Sequence, residues 1–259
     1  MLLDSPEFGK LASWVRDEIE FPGLIKKGGR GRKAAMVQEW LNLNGVGLVV
    51  DEDFGGITET CVRKYQSRAG LPVTGEVDLD TFNALVAPMR DVLKPLDAVP
   101  ATFSATVAAF AARHLAIHPT EIGGQNKGPW VRMYMDGNQG RAWPWCAGFV
   151  TFLMKQASET LDIRMPIKGS FSCDTLAAQA KATGAFLKGT VANPSDLDAG
   201  ALFLVRRTST DWTHVGMVLD AEAGGFSTTE GNTNDDGHRE GFEVCERFRG
   251  YGSKDFIVL

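Results

Sequence analysis

No stretch of this 259-residue sequence approaches the ~18–20 consecutive apolar residues that a membrane-spanning helix needs, so membrane insertion is not expected. The first residues, MLLDSPEFGKLASW, carry Asp4, Glu7 and Lys10 inside what would be an apolar core, so they do not read as a secretory signal. The expectation is synthesis in the cytoplasm, with any action in the periplasm or cell wall depending on another carrier. Excess positive charge is also missing. The formal net charge is −5, which argues against a nucleic-acid partner. The one basic cluster, KKGGRGRK at 26–33, reads as a solvated loop. Cysteine is scarce. The four residues, Cys61, Cys146, Cys173 and Cys245, form no CxxC pair, which leaves neither zinc-finger spacing nor a dense disulfide framework. Histidine is equally rare, at four positions.

What is present is a chain that is 44% hydrophobic, enough to bury a core. Residues 1–22 read as an N-terminal amphipathic helix with Leu11, Trp14, Val15 and Ile19 on one face. Residues 23–88 read as a three-helix domain: VQEWLNLNG stopped by Gly45, a helix capped at Thr58, and a short helix capped near Asp78 or Asp80. Residues 89–101 read as a proline-bearing linker. Residues 102–259 read as a second domain with helices first (103–115, 146–157 and the latter part of 168–184) and strands later (201–205, 214–219, 225–230, 242–248 and 255–259). That order specifies the α+β class, with an antiparallel sheet. The Gly-rich stretch 123–142 reads as irregular.

The stretch WPWCAGFV at 143–150 places Cys146 at an expected helix start, on the same stripe as Phe149, Val150 and Leu153. Two readings stay open from these residues. Free cysteine is among the most buried residue types, so Cys146 fits a core position. A helix N-terminus also offers unpaired N–H groups and the positive end of the dipole, which stabilise a thiolate nucleophile.

A nucleophile needs a base, and the strands offer one. HVGMVL and GFSTTE are separated by DAEAG. A five-residue loop pairs Leu219 with Gly225 and sets His214 directly opposite Glu230, on one face of the sheet, with Asn232 two residues further on. Gly216 would leave room for substrate. His114 and His118 have zinc-like i, i+4 spacing but no HExxH pattern, and His238 lies in a polar loop. Fragments such as Asp136–Gly140 lack the terminal Glu of a calcium loop. No metal and no cofactor are expected. Trp130, Trp143, Trp145 and Trp212 read as core residues or as groove walls for substrate. Gln139 is a candidate polar contact, and the backbone N–H of Cys146 a candidate oxyanion donor. Cys61, Cys173 and Cys245 read as packing or surface positions.

The order VQEWLN…DEDFGGITETCVRKYQ…GLPVTGEVDLDTFNAL resembles the peptidoglycan-binding domain family. The later order WCAGFV…ALFLV…HVGMVL…TTEGNTN is similar to the CHAP family, cysteine- and histidine-dependent amidohydrolases/peptidases of papain-like fold. That second resemblance implies Cys146 as nucleophile, His214 as general base, Glu230 as the group orienting the imidazole, and Asn232 as an assisting or substituting residue. It departs where the family has Pro-Gly-Asp and this chain has Ala199-Gly200-Ala201. Together the resemblances imply a monomeric hydrolase of bacterial peptidoglycan, an amidase or endopeptidase, arranged like a phage endolysin released with a holin. The same chemistry would serve a secretion-delivered toxin with an immunity partner. A non-catalytic wall-binding or phage-tail component is the remaining alternative.

Overall fold

The computed structural model describes residues 11–190, 192–234 and 241–259. The expected helical start at 1–10 and the loop containing His238 lie outside them. The described residues form an α+β structure: a helical N-terminal part, then helices packed on a six-stranded antiparallel sheet.

Helix α1 (Ser13–Ile19) buries Val15, Glu18 and Ile19. Helices α2 (Arg32–Leu43), α3 (Gly56–Arg68) and α4 (Leu79–Val92) form the module. Two buried glutamines fix its turns. Gln38 on α2 donates to Asp51 Oδ1 at 2.7 Å and Thr58 Oγ1 at 3.1 Å, and its carbonyl accepts from the N–H groups of Asp51 and Glu52. Gln66 on α3 donates to Thr81 Oγ1 at 3.0 Å and the Glu76 carbonyl at 2.8 Å, and accepts from Gly75 N–H at 2.9 Å. A buried amide must satisfy both ends, so each glutamine pins one loop to one helix. Two expectations change here and a third holds. Thr58 is not the N-cap of its helix, because Gly55 caps α3 and Thr58 is buried against Gln38. The basic stretch is not all loop, because α2 begins at Arg32. Asp78 does cap α4, accepting from Thr81 N–H at 2.9 Å.

The expected boundary at 88/89 falls inside α4. Pro88 lies within that helix, and Met89, Val92 and Leu93 are fully buried, so the front of the expected 89–101 linker is core. Helix α5 (Phe103–Ile117) follows, then α6 (Pro129–Tyr134), a helix inside the stretch expected to be irregular. One hydrophobic cluster runs from Val15 and Trp40 through Trp130 to Phe149 and Met217, so the two parts share a core. Arg132 on α6 closes the junction. Its Nε and Nη2 donate to Glu18 at 2.6 and 2.9 Å, and its Nη1 and Nη2 to Glu39 at 3.1 and 2.7 Å.

Helix α7 (Cys146–Leu161) crosses this core. Gly148 lets it approach α6, since a Cβ there would lie 2.6 Å from the Tyr134 carbonyl oxygen. Helix α8 (Cys173–Thr183) is capped by Ser172. The strands are β1 (Phe186–Lys188), β2 (Leu202–Thr208), β3 (Asp211–Glu222), β4 (Gly225–Thr233), β5 (Glu243–Arg249) and β6 (Lys254–Ile257). Their order is β1-β6-β2-β3-β4-β5. Leu202, Leu204, Val215 and Met217 belong to the helix-packed core, while Phe203, Val218, Phe226 and Phe256 form a smaller cluster of their own.

Candidate active site

Cys146 is the first residue of α7 and is nearly buried. Three neighbours hold its thiol well below the usual thiol range: the Cys173 S–H first, then His214, then the backbone N–H of Val215. They outweigh burial, which acts the other way. The geometry is that of a thiolate at a helix start.

His214 lies on β3 and Glu230 on β4. Its Nε2 meets Glu230 Oε2 at 2.8 Å, which leaves Nδ1 for Cys146. Burial pushes the imidazole down, but hydrogen bonds to Cys146 and Glu230 and their negative charges raise it to about 9. Each of the two shifts favours the charged form of the other group, the arrangement of a thiolate–imidazolium pair.

Glu230 is fully buried, a position that penalises its charge. Hydrogen bonds and opposite charges from His214 and Arg249 overcome that penalty and hold its carboxyl well below the usual range. Arg249 Nε and Nη2 donate to the two carboxylate oxygens at 2.6 and 2.5 Å, and Thr228 Oγ1 donates to Oε1 at 2.7 Å. Arg249 and Thr228 escaped the sequence reading, which ended the last long strand at 248. The signal was available: on β5 the alternation Cys245, Arg247, Arg249 shares a face with Phe226, Thr228 and Glu230, their register partners. Cys173 is more than the packing or surface position its sequence pattern suggests. It opens a helix behind a serine cap and its thiol meets Cys146.

The hairpin differs from the expected one. The turn has two residues, Ala223 and Gly224, with Glu222 opposite Gly225, and a bulge lies between Val218 and Asp220. Met217 pairs with Thr229, so Gly216, not His214, stands opposite Glu230. Gly216 makes room for that carboxylate rather than for substrate: a Cβ there would lie 2.8 Å from Glu230 Cγ.

The other candidates separate. Asn232 takes a left-handed backbone (φ 55°), and its buried Oδ1 has no hydrogen-bond partner among the described residues. Glu230, not Asn232, bonds the imidazole. Trp130 and Trp145 are buried, each stacked on Tyr134, at 6.3 and 5.5 Å, so neither forms a groove wall. Trp212 is buried with its indole N–H on Asp255 at 2.9 Å. Trp143 is half-buried and meets Phe171 edge-on at 6.3 Å, which leaves these two rings beside the openings of α7 and α8. Gln139 is exposed but accepts from Gly128 N–H and Arg132 Nη1 at the junction of the two parts, away from the expected role. His114 is a core residue. Gln156 donates its amide to the Val92 carbonyl, so its oxygen accepts from His114 Nε2–H, and Nδ1 accepts from Tyr134 O–H. Burial lowers that imidazole to about 3. His118 pairs with Glu243 at 2.6 Å, so the two histidines do not converge on a metal. Among the described residues, no group of three or more His, Cys, Asp or Glu side chains is placed to hold one.

Residues 30–85 match the family described as "Putative peptidoglycan binding domain". That segment is similar to a peptidoglycan-binding module. The module spans α2, α3 and the first half of α4, and ends well before Cys146. Among solved structures, the SleB N-terminal domain is 32% identical over 26% of this chain and 93% of its own, with a TM-score of 0.25. A fused Zn-dependent amidase/peptidase/peptidoglycan-binding domain-containing protein from Clostridium acetobutylicum ATCC 824 is 24% identical, covering 39% of this chain and 48% of its own, with a TM-score of 0.25. Comparison with curated proteins finds no match. The module directs attention to peptidoglycan and the cell wall.

Proposed function

We propose that the chain is a peptidoglycan hydrolase that cleaves an amide through a cysteine thiolate. The observation that carries this reading is the line Cys146–His214–Glu230–Arg249: a thiolate at a helix start, an imidazole against it, and a buried carboxylate pinned behind the imidazole. The peptidoglycan-binding-type module supports the choice of substrate, as does the resemblance of the later segment to the CHAP family.

The Cys146 thiolate attacks the amide carbonyl, and the oxygen becomes an oxyanion facing the N–H groups at the start of α7. The His214 imidazolium gives its proton to the leaving amine, the C–N bond breaks, and a thioester forms. His214, now neutral, takes a proton from water as the water attacks the thioester. The acid leaves and the thiolate–imidazolium pair returns. Glu230 stays ionised throughout and steadies the imidazolium, the role of the third member of a triad. The bond is a muramoyl-alanine or stem-peptide amide, and both an endolysin and a delivered toxin would use this cycle.

The test is digestion of purified peptidoglycan by the wild type and by Cys146→Ala, with mass spectrometry of the soluble products. Fragments from the wild type alone, with both proteins sedimenting with the wall, support the reading and name the bond. Binding without cleavage by either protein, across several wall chemistries, leaves a wall-binding protein and removes the hydrolase.

A further inference from the structure

Cys173 has no part in that cycle, yet the fold holds it against Cys146. Two independent ties fix it there. On one side, Thr151 of α7 binds the preceding loop twice, its Oγ1 donating to the Ser170 carbonyl at 2.9 Å and accepting from Ser170 N–H at 3.0 Å. Gly169 lies so close that a Cβ would sit 2.5 Å from Thr151 Cγ2. On the other side, Asp174 accepts the N–H of Trp212 at 2.7 Å, two residues before His214. Residue 173 is therefore held between α7 and β3, where its S–H is the strongest influence on the Cys146 thiol. Both cysteines open helices, both are free, and both are nearly buried.

We propose that Cys173 is a resolving thiol that closes Cys146 into a reversible disulfide when the protein meets a peroxide. The proposal rests on Cys146 being a thiolate open to small molecules, as the hydrolase reading also requires. The Cys146 thiolate attacks one peroxide oxygen, the O–O bond breaks, and hydroxide leaves with a proton as water. Cys146 is then a sulfenic acid. The Cys173 sulfur attacks the Cys146 sulfur, the S–O bond breaks, and the hydroxide departs as water with the proton Cys173 gives up. Two thiols have lost two electrons, and one peroxide has been reduced to two waters. Before oxidation, the neighbouring thiolate and burial push the Cys173 thiol far up and keep it protonated. Neutralising Cys146 as sulfenic acid removes that charge, so the second thiol is freed to react only after the first has been oxidised. A dithiol reductant reverses the bond.

The experiment treats the full chain with hydrogen peroxide, quenches and alkylates it, and maps the peptides by mass spectrometry. The expected result is a Cys146–Cys173 cross-linked peptide that dithiothreitol removes, together with wall-digesting activity that is lost and then recovered. In Cys173→Ser, the same dose should drive Cys146 on to sulfinic and sulfonic acids, with activity lost beyond recovery. Absence of the cross-link, with wild type and Cys173→Ser equally over-oxidised, overturns the proposal. A cross-link in a protein that never cuts peptidoglycan would keep this inference and end the hydrolase reading, so the two failures are distinct.

Discussion

Glu230 reaches His214 on a diagonal, because the position directly across the hairpin from Glu230 belongs to Gly216. A methyl group at 216 would lie 2.6 Å from Phe203 Cε1 and 2.8 Å from Glu230 Cγ. Gly216→Ala should therefore cost about 1–3 kcal/mol from overpacking. It should also swing the carboxylate off the imidazole. The measurement is chemical denaturation beside steady-state kinetics, with kcat falling more than KM rises. A variant that keeps both stability and kcat would show that the glycine is not needed for this placement.

The charge pair sets a pH window. Cys146 is held below the usual thiol range and His214 is raised to about 9, so the reactive pair persists through neutrality and loses its imidazolium proton as pH rises past about 9. Alkylation of Cys146 by iodoacetamide, followed on its own peptide, should continue at pH values where an ordinary thiol is protonated and unreactive. In His214→Ala the profile should move up toward the ordinary range, since His214 lowers the Cys146 pKa. In Glu230→Gln the alkaline limb of kcat/KM should move down, because Glu230 raises His214 and Arg249 would then face the imidazole without a neutralising charge.

Arg249→Met leaves a fully buried carboxylate with His214 and Thr228 as its remaining partners. Breaking one side of a buried pair costs roughly 3–5 kcal/mol, and the quarter exposure of Arg249 argues for the lower end. The loss should be largest near neutral pH. The depressed Glu230 contributes stability above its unfolded pKa and loses that contribution as pH falls through the folded value, so wild type and variant should converge in acid. Thermal unfolding across pH tests this, and a constant gap between the two proteins would contradict it.

Much of this was legible in the sequence, for identifiable reasons. Period-2 and period-3.6 patterning located the α+β order, the start of α7 at Cys146, and the strands carrying His214 and Glu230. The hairpin register came out two residues off between those strands, because the two-residue turn and the bulge after Val218 are not encoded in alternation. An even shift keeps side chains on the same face, which is why His214 and Glu230 still meet. Arg249 was legible only by carrying the strand alternation one residue past 248. Cys173 was not legible, because its contact with Cys146 joins α8 to α7 and no local spacing reports it. The junction was misread because Pro88 suggests a helix end, whereas the helix continues and buries Met89 and Val92.

Arg132 makes the junction testable. Arg132→Met would remove the cation that buried Glu18 and Glu39 share, leaving Glu18 with the more distant Arg32 at 3.6 Å. The expected loss is about 3–5 kcal/mol, with one cooperative transition expected for the wild type and two for the variant as the module separates from the sheet domain. Calorimetry reads both effects, and an unchanged single transition would show that the apolar part of the junction suffices.

The same clasp changes what a wall-bound molecule would be able to reach. A binding module on a loose string lets its partner domain roam a sphere around the anchor point, trading precision for coverage. Glu18, Glu39 and Arg132 remove that freedom, together with the core shared by Trp40 and Trp130. The distance and angle from the module to Cys146 become properties of the fold, so the molecule would work as a gauge: each landing presents one bond to the thiolate, and moving to the next requires letting go.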